Sequence, residues 1–168
     1  DDFLPFTFFD DHGQFSGLAA DILNRISVST GLEFDVMSSS SVSVMTDSVK
    51  DGDADLIAAM TPSSSRLNDL RFTKPYLSTP YVLITRLQLQ GPITLDQLKG
   101  KRVAVIPDSS LATYLHEFHP EVEIIPANNS AQALTMLAQG KVEGAINALI
   151  SARYLIRQQY ADQLQISS

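Results

Sequence analysis

The sequence contains no cysteine, which excludes disulfides, thiolate chemistry and cysteine-ligated metal sites. Positive charge is also scarce, since 12 lysines and arginines stand against 19 acids and leave a net charge of −7. A protein that follows nucleic-acid phosphates or anionic lipid needs a basic face, so neither is expected as a partner. No apolar run approaches the ~18 residues of a membrane span. Any contact with a membrane would therefore come through segments outside this chain.

Motifs for nucleotide binding and for serine hydrolysis are missing too. The serine-rich runs at 38–41 and 63–65 have no histidine or acid placed beside them by a motif, so we interpret them as loop residues. His116 and His119 are close enough on a predicted helix to share a metal, but Pro120 ends that helix and favours a solvated terminus. The sequence therefore predicts no catalytic residue, no metal ligand and no cofactor.

What the 168 residues do contain is enough apolar matter for a core, with 44% hydrophobic residues. Apolar residues recur at helical spacing in some segments and alternate or run together in others. Helices are predicted at 18–30, 45–52, 109–118, 130–140 and 150–159, with a turn at 10–13. Strands are predicted at 33–37, 54–60, 81–85, 102–106, 122–125 and 142–146. Strands that alternate with helices predict an α/β fold with a mainly parallel sheet.

The dipeptide Gly91-Pro92 is the clearest boundary signal in the chain, and we place one lobe at 1–86 and a second at 87–168. Residues 52–58 and 140–146 share one pattern, in which a helix ends at a glycine and an acid follows three residues later. This pattern has two interpretations. It indicates either two similar lobes or chance convergence of helix–glycine–strand units, which are common in α/β folds.

One segment suited to an anion lies in the first half. Thr61 and Arg66 follow the predicted strand 54–60, and ligands of α/β sheets bind beyond the carboxyl ends of strands. The guanidinium of Arg66 fits a carboxylate or a phosphate, although a surface charge at a helix start has the same sequence signature. Aromatic residues near the start of the chain, among them Phe3 and Phe6, can wall a pocket or belong to the core.

A second segment suited to an anion follows the predicted strand 102–106. Asp108, Ser109 and Ser110 open the next predicted helix, whose free N–H groups can receive an anion. The same residues can instead serve only as the helix cap. Because this segment and Arg66 lie in opposite halves, together they predict a carboxylate held from both sides of a cleft.

Several stretches, taken together and in order, resemble the family-3 periplasmic solute-binding domains, also called Venus-flytrap domains. They are Phe3-Leu4-Pro5-Phe6, Gly13-Gln14-Phe15-Ser16-Gly17-Leu18 with Asp21, 52–60, Arg66 with Phe72-Thr73-Lys74-Pro75-Tyr76, 95–105 and 140–146. The resemblance implies an α/β, two-lobed periplasmic-binding-protein fold of type II, whose lobes close on a small ligand that is often an amino acid. It also implies a first strand ahead of Phe3 and a returning segment after Ser168. We therefore expect a mature or excised piece with the fold incomplete at both ends.

The resemblance also implies roles for residues of the first lobe. Phe3 matches the aromatic residue that stacks on the ligand, with Phe6 as a further ligand contact. Ala59 matches a position that offers its backbone, and Thr61 matches one that donates a hydroxyl. Arg66 matches the arginine that clamps an α-carboxylate.

In the second lobe, Asp108, Ser109 and Ser110 match a Gly-Thr-Thr stretch and depart from it at the first position. Ala148 stands where amino-acid binders carry the aspartate that holds the α-ammonium group. Asn147 precedes it as a ligand contact, but a neutral amide cannot supply the missing charge. This departure weakens the case for an amino-acid ligand and leaves open a carboxylate or another small metabolite.

Residues 147–156 resemble the corresponding run in flytrap domains of bacterial hybrid sensor kinases of the virulence-sensor type. That resemblance implies a periplasmic sensory domain of an inner-membrane two-component sensor histidine kinase. Its expected partners are a small-molecule ligand and, in the full-length sensor, a second copy in a homodimer. The domain itself is not expected to be an enzyme. The alternatives are the solute receptor of an amino-acid ABC transporter, a cyclohexadienyl-dehydratase-like enzyme with Asp108 as its acid, and a module that signals without a ligand.

Overall fold

The computed structural model describes residues 3–87, 93–107 and 109–167, and it divides into two compact units, 1–73 and 74–168. This division lies earlier in the chain than the predicted boundary between 86 and 87, and the dipeptide Gly91-Pro92 lies outside the described residues. The difference arises because the segment Tyr81–Arg86 is hydrogen-bonded into the sheet of the second unit. In the described part of the chain, no helix combines the length and apolar character needed to cross a membrane.

The regular secondary structure described in the first unit is a short hairpin and three helices. They are β1 (Phe8–Phe9), β2 (Phe15–Ser16), α1 (Leu18–Thr30), α2 (Val42–Asp51) and α3 (Ser64–Asp69). The helix predicted at 18–30 is confirmed. It ends at Gly31, which has a left-handed φ of 75°, and α2 ends in the same way at Gly52.

The side chain of Asp10 holds the turn of the hairpin. Its Oδ1 accepts hydrogen bonds from the backbone N–H groups of His12 and Gln14, both at 2.9 Å. The antiparallel register places Phe9 opposite Phe15, and their ring centroids lie 5.9 Å apart. The turn predicted at 10–13 is thus confirmed, because an aspartate side chain can replace a backbone partner there.

Gly17 allows the start of the chain to pack against the N-terminus of α1. The carbonyl of Pro5 accepts from the N–H of Leu18 at 3.2 Å, and the carbonyl of Phe6 accepts from the N–H of Ala19 at 2.9 Å. These bonds satisfy N–H groups that a helix leaves free at its first turn. Gly17 has a φ of 107°, and a Cβ on it would lie 2.5 Å from the carbonyl oxygen of Phe6. Glycine is therefore required here for both conformation and space.

The strands predicted at 33–37 and 54–60 do not form, so this prediction was wrong. Their apolar patterns are compatible with strands, but a strand also needs backbone hydrogen bonds to a neighbour. The two sheets formed by the described residues include neither segment. The two copies of the internal pattern are consequently alike in their helix and left-handed glycine, while only 140–146 runs into a strand.

The second unit is built around one sheet. Its strands are β3 (Tyr81–Arg86), β4 (Arg102–Val105), β5 (Glu123–Pro126), β6 (Gly144–Ala148) and β7 (Leu164–Ile166). Its helices are a 3-10 helix (Leu95–Leu98), α4 (Ser110–Phe118), α5 (Ser130–Ala138), α6 (Leu149–Leu155) and a π-helical turn (Ile156–Tyr160). The strand order is β5-β4-β6-β3-β7. β4 is parallel to both β5 and β6, as predicted, whereas β3 is antiparallel to β6 and β7.

The core of the second unit lies where α4 and the 3-10 helix pack on the sheet. Its buried members are Leu83, Ile93, Leu98, Val103, Val105, Leu111, Leu115, Val122 and Ile146. Burying a large aliphatic side chain of this kind stabilises the fold by about 1.5–3 kcal/mol. Gly144 belongs to the same packing, since a Cβ there would lie 2.9 Å from Cδ1 of Leu98.

An ion pair joins the start of β4 to the residue that precedes β6. Nη2 of Arg102 lies 2.7 Å from Oε1 of Glu143, and the backbone N–H of Arg102 donates to Oε2 at 2.9 Å. The hydrogen bond from the Arg102 side chain is the main reason why the pKa of Glu143 lies below its ordinary value of 4.5, although partial burial acts in the opposite direction. Glu143 therefore contributes to stability in its ionised form.

We expect Gly17→Ala to reduce the free energy of unfolding by about 2–4 kcal/mol, because left-handed strain and overpacking each cost about 1–3 kcal/mol. Urea unfolding followed by circular dichroism measures the loss. Gly13→Ala is the matched control, since Gly13 also has a positive φ of 73° but has open space around its Cα. Equal losses in the two variants would show that the contact with Phe6 is not what requires glycine at position 17.

We expect Glu143→Gln to lower the melting temperature at pH 7 and to matter progressively less in acid. A carboxyl whose pKa is lowered by folding stabilises the protein above the pKa it has in the unfolded chain. This contribution is lost as the pH falls through the lower pKa of the folded state, where wild type and variant converge. Thermal unfolding between pH 7 and pH 3 tests this, with the exposed Glu117→Gln as control. A difference that stays constant over that range contradicts the role of the ion pair.

Candidate functional site

Arg66 lies in the first turn of α3, where its own loop orients the side chain. Its Nη1 donates to the carbonyl of Thr61 at 2.9 Å, and the residue as a whole is half-buried. The N-cap Ser63 accepts the backbone N–H of Arg66 at 3.4 Å and shares a hydrogen bond of 3.0 Å with the hydroxyl of Ser65. Arg66 is thus both a helix-start residue and a positioned cation, so the two sequence interpretations are compatible.

Ala59 and Thr61 precede this helix without forming a strand. Ala59 is half-buried, whereas Thr61 is exposed and uses its carbonyl to hold Arg66. The sequence places these residues at the carboxyl end of a strand, but the structure places them in an irregular connection leading into α3. The backbone conformation around these two residues therefore differs from the prediction.

Phe3 and Phe6 form one aromatic pair at the start of the first unit. Their ring centroids lie 4.6 Å apart. Phe6 is 4% exposed and belongs to the interior, whereas Phe3 is half-buried and pairs with Thr7 through a backbone hydrogen bond of 2.8 Å. Of the two rings, Phe3 is therefore better placed to meet a solute.

Ser109 and Ser110 lie where β4 gives way to α4. The hydroxyl of Ser109 accepts the N–H of Ala112 at 3.2 Å and donates to the carbonyl of Ile106 at 2.7 Å. It is buried, and its hydrogen-bonding capacity serves the helix cap. Ser110 is half-buried at the first position of α4. Asp108, the third predicted residue of this segment, lies outside the described residues.

Ser110 borders an apolar groove of about 390 Å³ beside α4. Tyr81 at the start of β3, Tyr114 on α4 and Leu95 line the same groove. The sequence analysis did not single out either tyrosine. The spacing of four between Ser110 and Tyr114 places both on one helix face and was the available signal.

Asn147 lies in β6 and is 2% exposed. Its Nδ2 donates to the carbonyl of Ser130 at 3.5 Å, which connects β6 to the first residue of α5. Ala148 follows at the end of the strand and serves as the N-cap of α6 without a side-chain hydrogen bond. The amide therefore has a structural partner, and no carboxylate stands beside it at position 148.

The structure groups the predicted residues by unit. The first unit holds the residues near its start and around α3, namely Phe3, Phe6, Ala59, Thr61 and Arg66. The second unit holds those at the ends of β4 and β6, namely Ser109, Ser110 and Asn147. Within the second unit, β4 and β6 are adjacent parallel strands, and the start of α4 follows the carboxyl end of β4. Ligands of α/β sheets bind beyond such carboxyl ends.

Comparison with known proteins places this chain among bacterial proteins. The family of bacterial extracellular solute-binding proteins, family 3, matches residues 1–96. The virulence sensor protein BvgS of Bordetella pertussis is 31% identical over 166 residues, which cover 99% of this chain and 13% of that protein. The sensor protein EvgS of Escherichia coli K12 is 29% identical over 160 residues, with 95% and 13% covered. This chain thus spans 13% of the length of these sensors.

A solved structure of one of these sensors also resembles this chain. The crystal structure of the BvgS periplasmic VFT2 domain from Bordetella pertussis matches with a TM-score of 0.91 at 31% identity, covering 99% of this chain and 71% of that one. The resemblance to Venus-flytrap domains that the sequence motifs indicated is therefore confirmed, together with the periplasmic-binding-protein fold. This chain belongs to the bacterial extracellular solute-binding proteins of family 3.

Proposed function

We propose that this chain is the periplasmic solute-sensing domain of a bacterial two-component sensor histidine kinase. The observation that carries the proposal is the match to a sensor protein along 99% of the chain, together with the likeness to a periplasmic domain of that sensor. The kinase would lie in other parts of the full-length protein, which would be an inner-membrane protein and a homodimer. In this view the domain binds a solute and catalyses no reaction.

The proposed ligand is a small carboxylate. Arg66 supports this assignment because the Thr61 carbonyl holds its guanidinium in place, and a pre-oriented guanidinium binds a carboxylate with less loss of conformational freedom. Ala148 supports it from the second unit, because a methyl group offers nothing to an α-ammonium group. Asn147 adds no charge, and its amide already donates to Ser130.

Sensing would follow from closure of the two lobes around the solute. A ligand shifts the balance between open and closed forms only by the difference in its affinity for them. The attraction between Arg66 and a carboxylate strengthens when water is excluded, because the local dielectric falls. The closed form is therefore the one that a carboxylate would favour, and its population is the signal.

The competing functions have less support among the described residues. A dehydratase needs an acid or base beside its substrate, and the residue proposed for that role, Asp108, lies outside the described part of the chain. The role of transporter receptor has the weaker match, since a probable amino-acid ABC transporter-binding protein is 24% identical to this chain and the sensor protein is 31% identical. We therefore propose sensing as the function.

We expect Arg66→Ala to weaken binding of a carboxylate by ~2–4 kcal/mol, because removal of a charged partner leaves the carboxylate unpaired. Calorimetry with a panel of acetate, succinate, glutarate, glutamate and glutamine measures the effect. Arg71→Ala is the matched control, since Arg71 is an exposed arginine of the same unit. Unchanged affinity in Arg66→Ala removes this residue from the site, and a wild-type chain that binds nothing in the panel contradicts the proposed ligand class.

We expect the wild-type chain to bind glutarate at least as tightly as glutamate, and Ala148→Asp to reverse this order by about tenfold or more. The physical reason is that a carboxylate at position 148 pairs with an α-ammonium group and repels a ligand that carries only acids. Ala148→Asn, which has the same shape without the charge, is the control. If Ala148→Asp leaves the order of the two ligands unchanged, position 148 does not face the ligand.

A further inference from the structure

Three side chains of the types that bind metals come together in the second unit, and none of them is among the residues assigned to the solute. Asp96 lies on the 3-10 helix, His119 follows the end of α4, and Glu121 precedes β5. One ligand atom from each lies within 4.8 Å of the others. His119 and Glu121 lie two residues apart in the connection between α4 and β5, and the tertiary fold brings Asp96 of the 3-10 helix to them.

One nitrogen of the His119 imidazole has no hydrogen-bond partner in the described part of the chain, which is evidence that it binds a ligand. Its Nδ1 is buried and has no hydrogen-bond partner among the described residues. Buried polar atoms in folded proteins nearly always have a partner, so this one requires an explanation. Oε1 of Glu121 lies 3.9 Å away, which is too far for a hydrogen bond but close enough for both atoms to share a metal ion.

Backbone hydrogen bonds hold the three segments in place. The N–H of Gly100 donates to the carbonyl of Glu121 at 2.8 Å, which ties the end of the 3-10 helix to the connection before β5. The N–H of His119 donates to Leu115 at 2.9 Å, and the ring of Tyr114 lies 5.7 Å from the imidazole. The histidine is therefore fixed, with 17% of its side chain exposed, whereas the two acids are exposed and can move.

We propose that Asp96, His119 and Glu121 bind a divalent transition-metal ion of the zinc type. One imidazole nitrogen with two carboxylate oxygens is a donor set that suits zinc, with water as a fourth ligand, whereas calcium and magnesium prefer oxygen alone. Bonds of ~2.0–2.2 Å bring tetrahedral ligands to about 3.3 Å from one another. Small rotations of the two exposed acids provide that contraction.

Lys99 is the group that competes with the metal. Its Nζ lies 3.8 Å from Oε1 of Glu121, and 60% of its side chain is exposed. An exposed lysine of this kind gains little from its ion pair and can leave when a divalent ion arrives. Removal of the lysine charge should therefore strengthen metal binding, whereas removal of a metal-binding side chain should weaken it.

The test is a titration of the whole chain, freed of metal with a chelator, with zinc chloride. We expect one equivalent to bind, with a rise in melting temperature, because an ion that binds only the folded state stabilises it. Calorimetry should show binding at least tenfold weaker in Asp96→Asn and in Glu121→Gln, and tighter in Lys99→Gln. Cobalt(II) in place of zinc should give the intense visible absorption of a tetrahedral site, and the His119→Gln variant should lose it.

His116→Ala is the matched control, because this exposed histidine of α4 lies outside the cluster and should leave zinc binding unchanged. The proposal is overturned if no zinc binds at 1 mM, or if His116→Ala removes binding while the two acid variants retain it. It is also overturned if magnesium or calcium raises the melting temperature as much as zinc does. The readouts use no organic solute, so they are independent of the proposed sensing function.

Discussion

Strand β3 holds the second unit together because it lies between β6 and β7. Leu83, Ile84 and Thr85 are buried in it, and the hydroxyl of Thr85 shares a hydrogen bond of 2.9 Å with that of Ser167. At its end, Nη1 of Arg86 donates to the carbonyl of residue 137, in the last turn of α5, at 2.8 Å and to the carbonyl of residue 142, just before β6, at 2.7 Å. A cation near the C-terminus of a helix also interacts favourably with the helix dipole. The segment that enters the second unit thereby fixes the positions of α5 and β6.

The same strand explains how the sheet tolerates an alanine at position 148. Tyr81 pairs with Ala148 across the two strands. The backbone N–H of Leu149 donates to the carbonyl of Pro80 at 2.8 Å, and that of Ile150 donates to Oγ1 of Thr79 at 3.4 Å. Partners from the chain leading into β3 thus replace a side-chain cap at the N-terminus of α6. Position 148 is consequently free of a structural duty that a polar residue would have to serve.

Three serines of this chain begin helices. Ser41, Ser63 and Ser109 are N-caps of α2, α3 and α4, and each accepts a backbone N–H from three residues ahead. Replacing such a cap by alanine typically costs ~1 kcal/mol. A hydroxyl that already caps a helix is less able to bind a ligand than a hydroxyl without a partner. In the proposed solute site we therefore expect Arg66 to contribute more binding energy than Ser109.

The sequence by itself determined the local structure of this protein. It located α1, α4 and the strands β3 to β6, because helix spacing and capping residues act within a few positions of the chain. It also located Arg66 before a helix, but not the Thr61 carbonyl as its partner.

Only the tertiary structure decided which segments pair, since 33–37 and 54–60 have strand-like patterns and join no sheet of the described residues. It also gave Asn147 a carbonyl partner and brought Asp96 of the 3-10 helix to His119, where the sequence considered only its neighbour His116. These contacts join residues distant along the chain, and no local pattern specifies them.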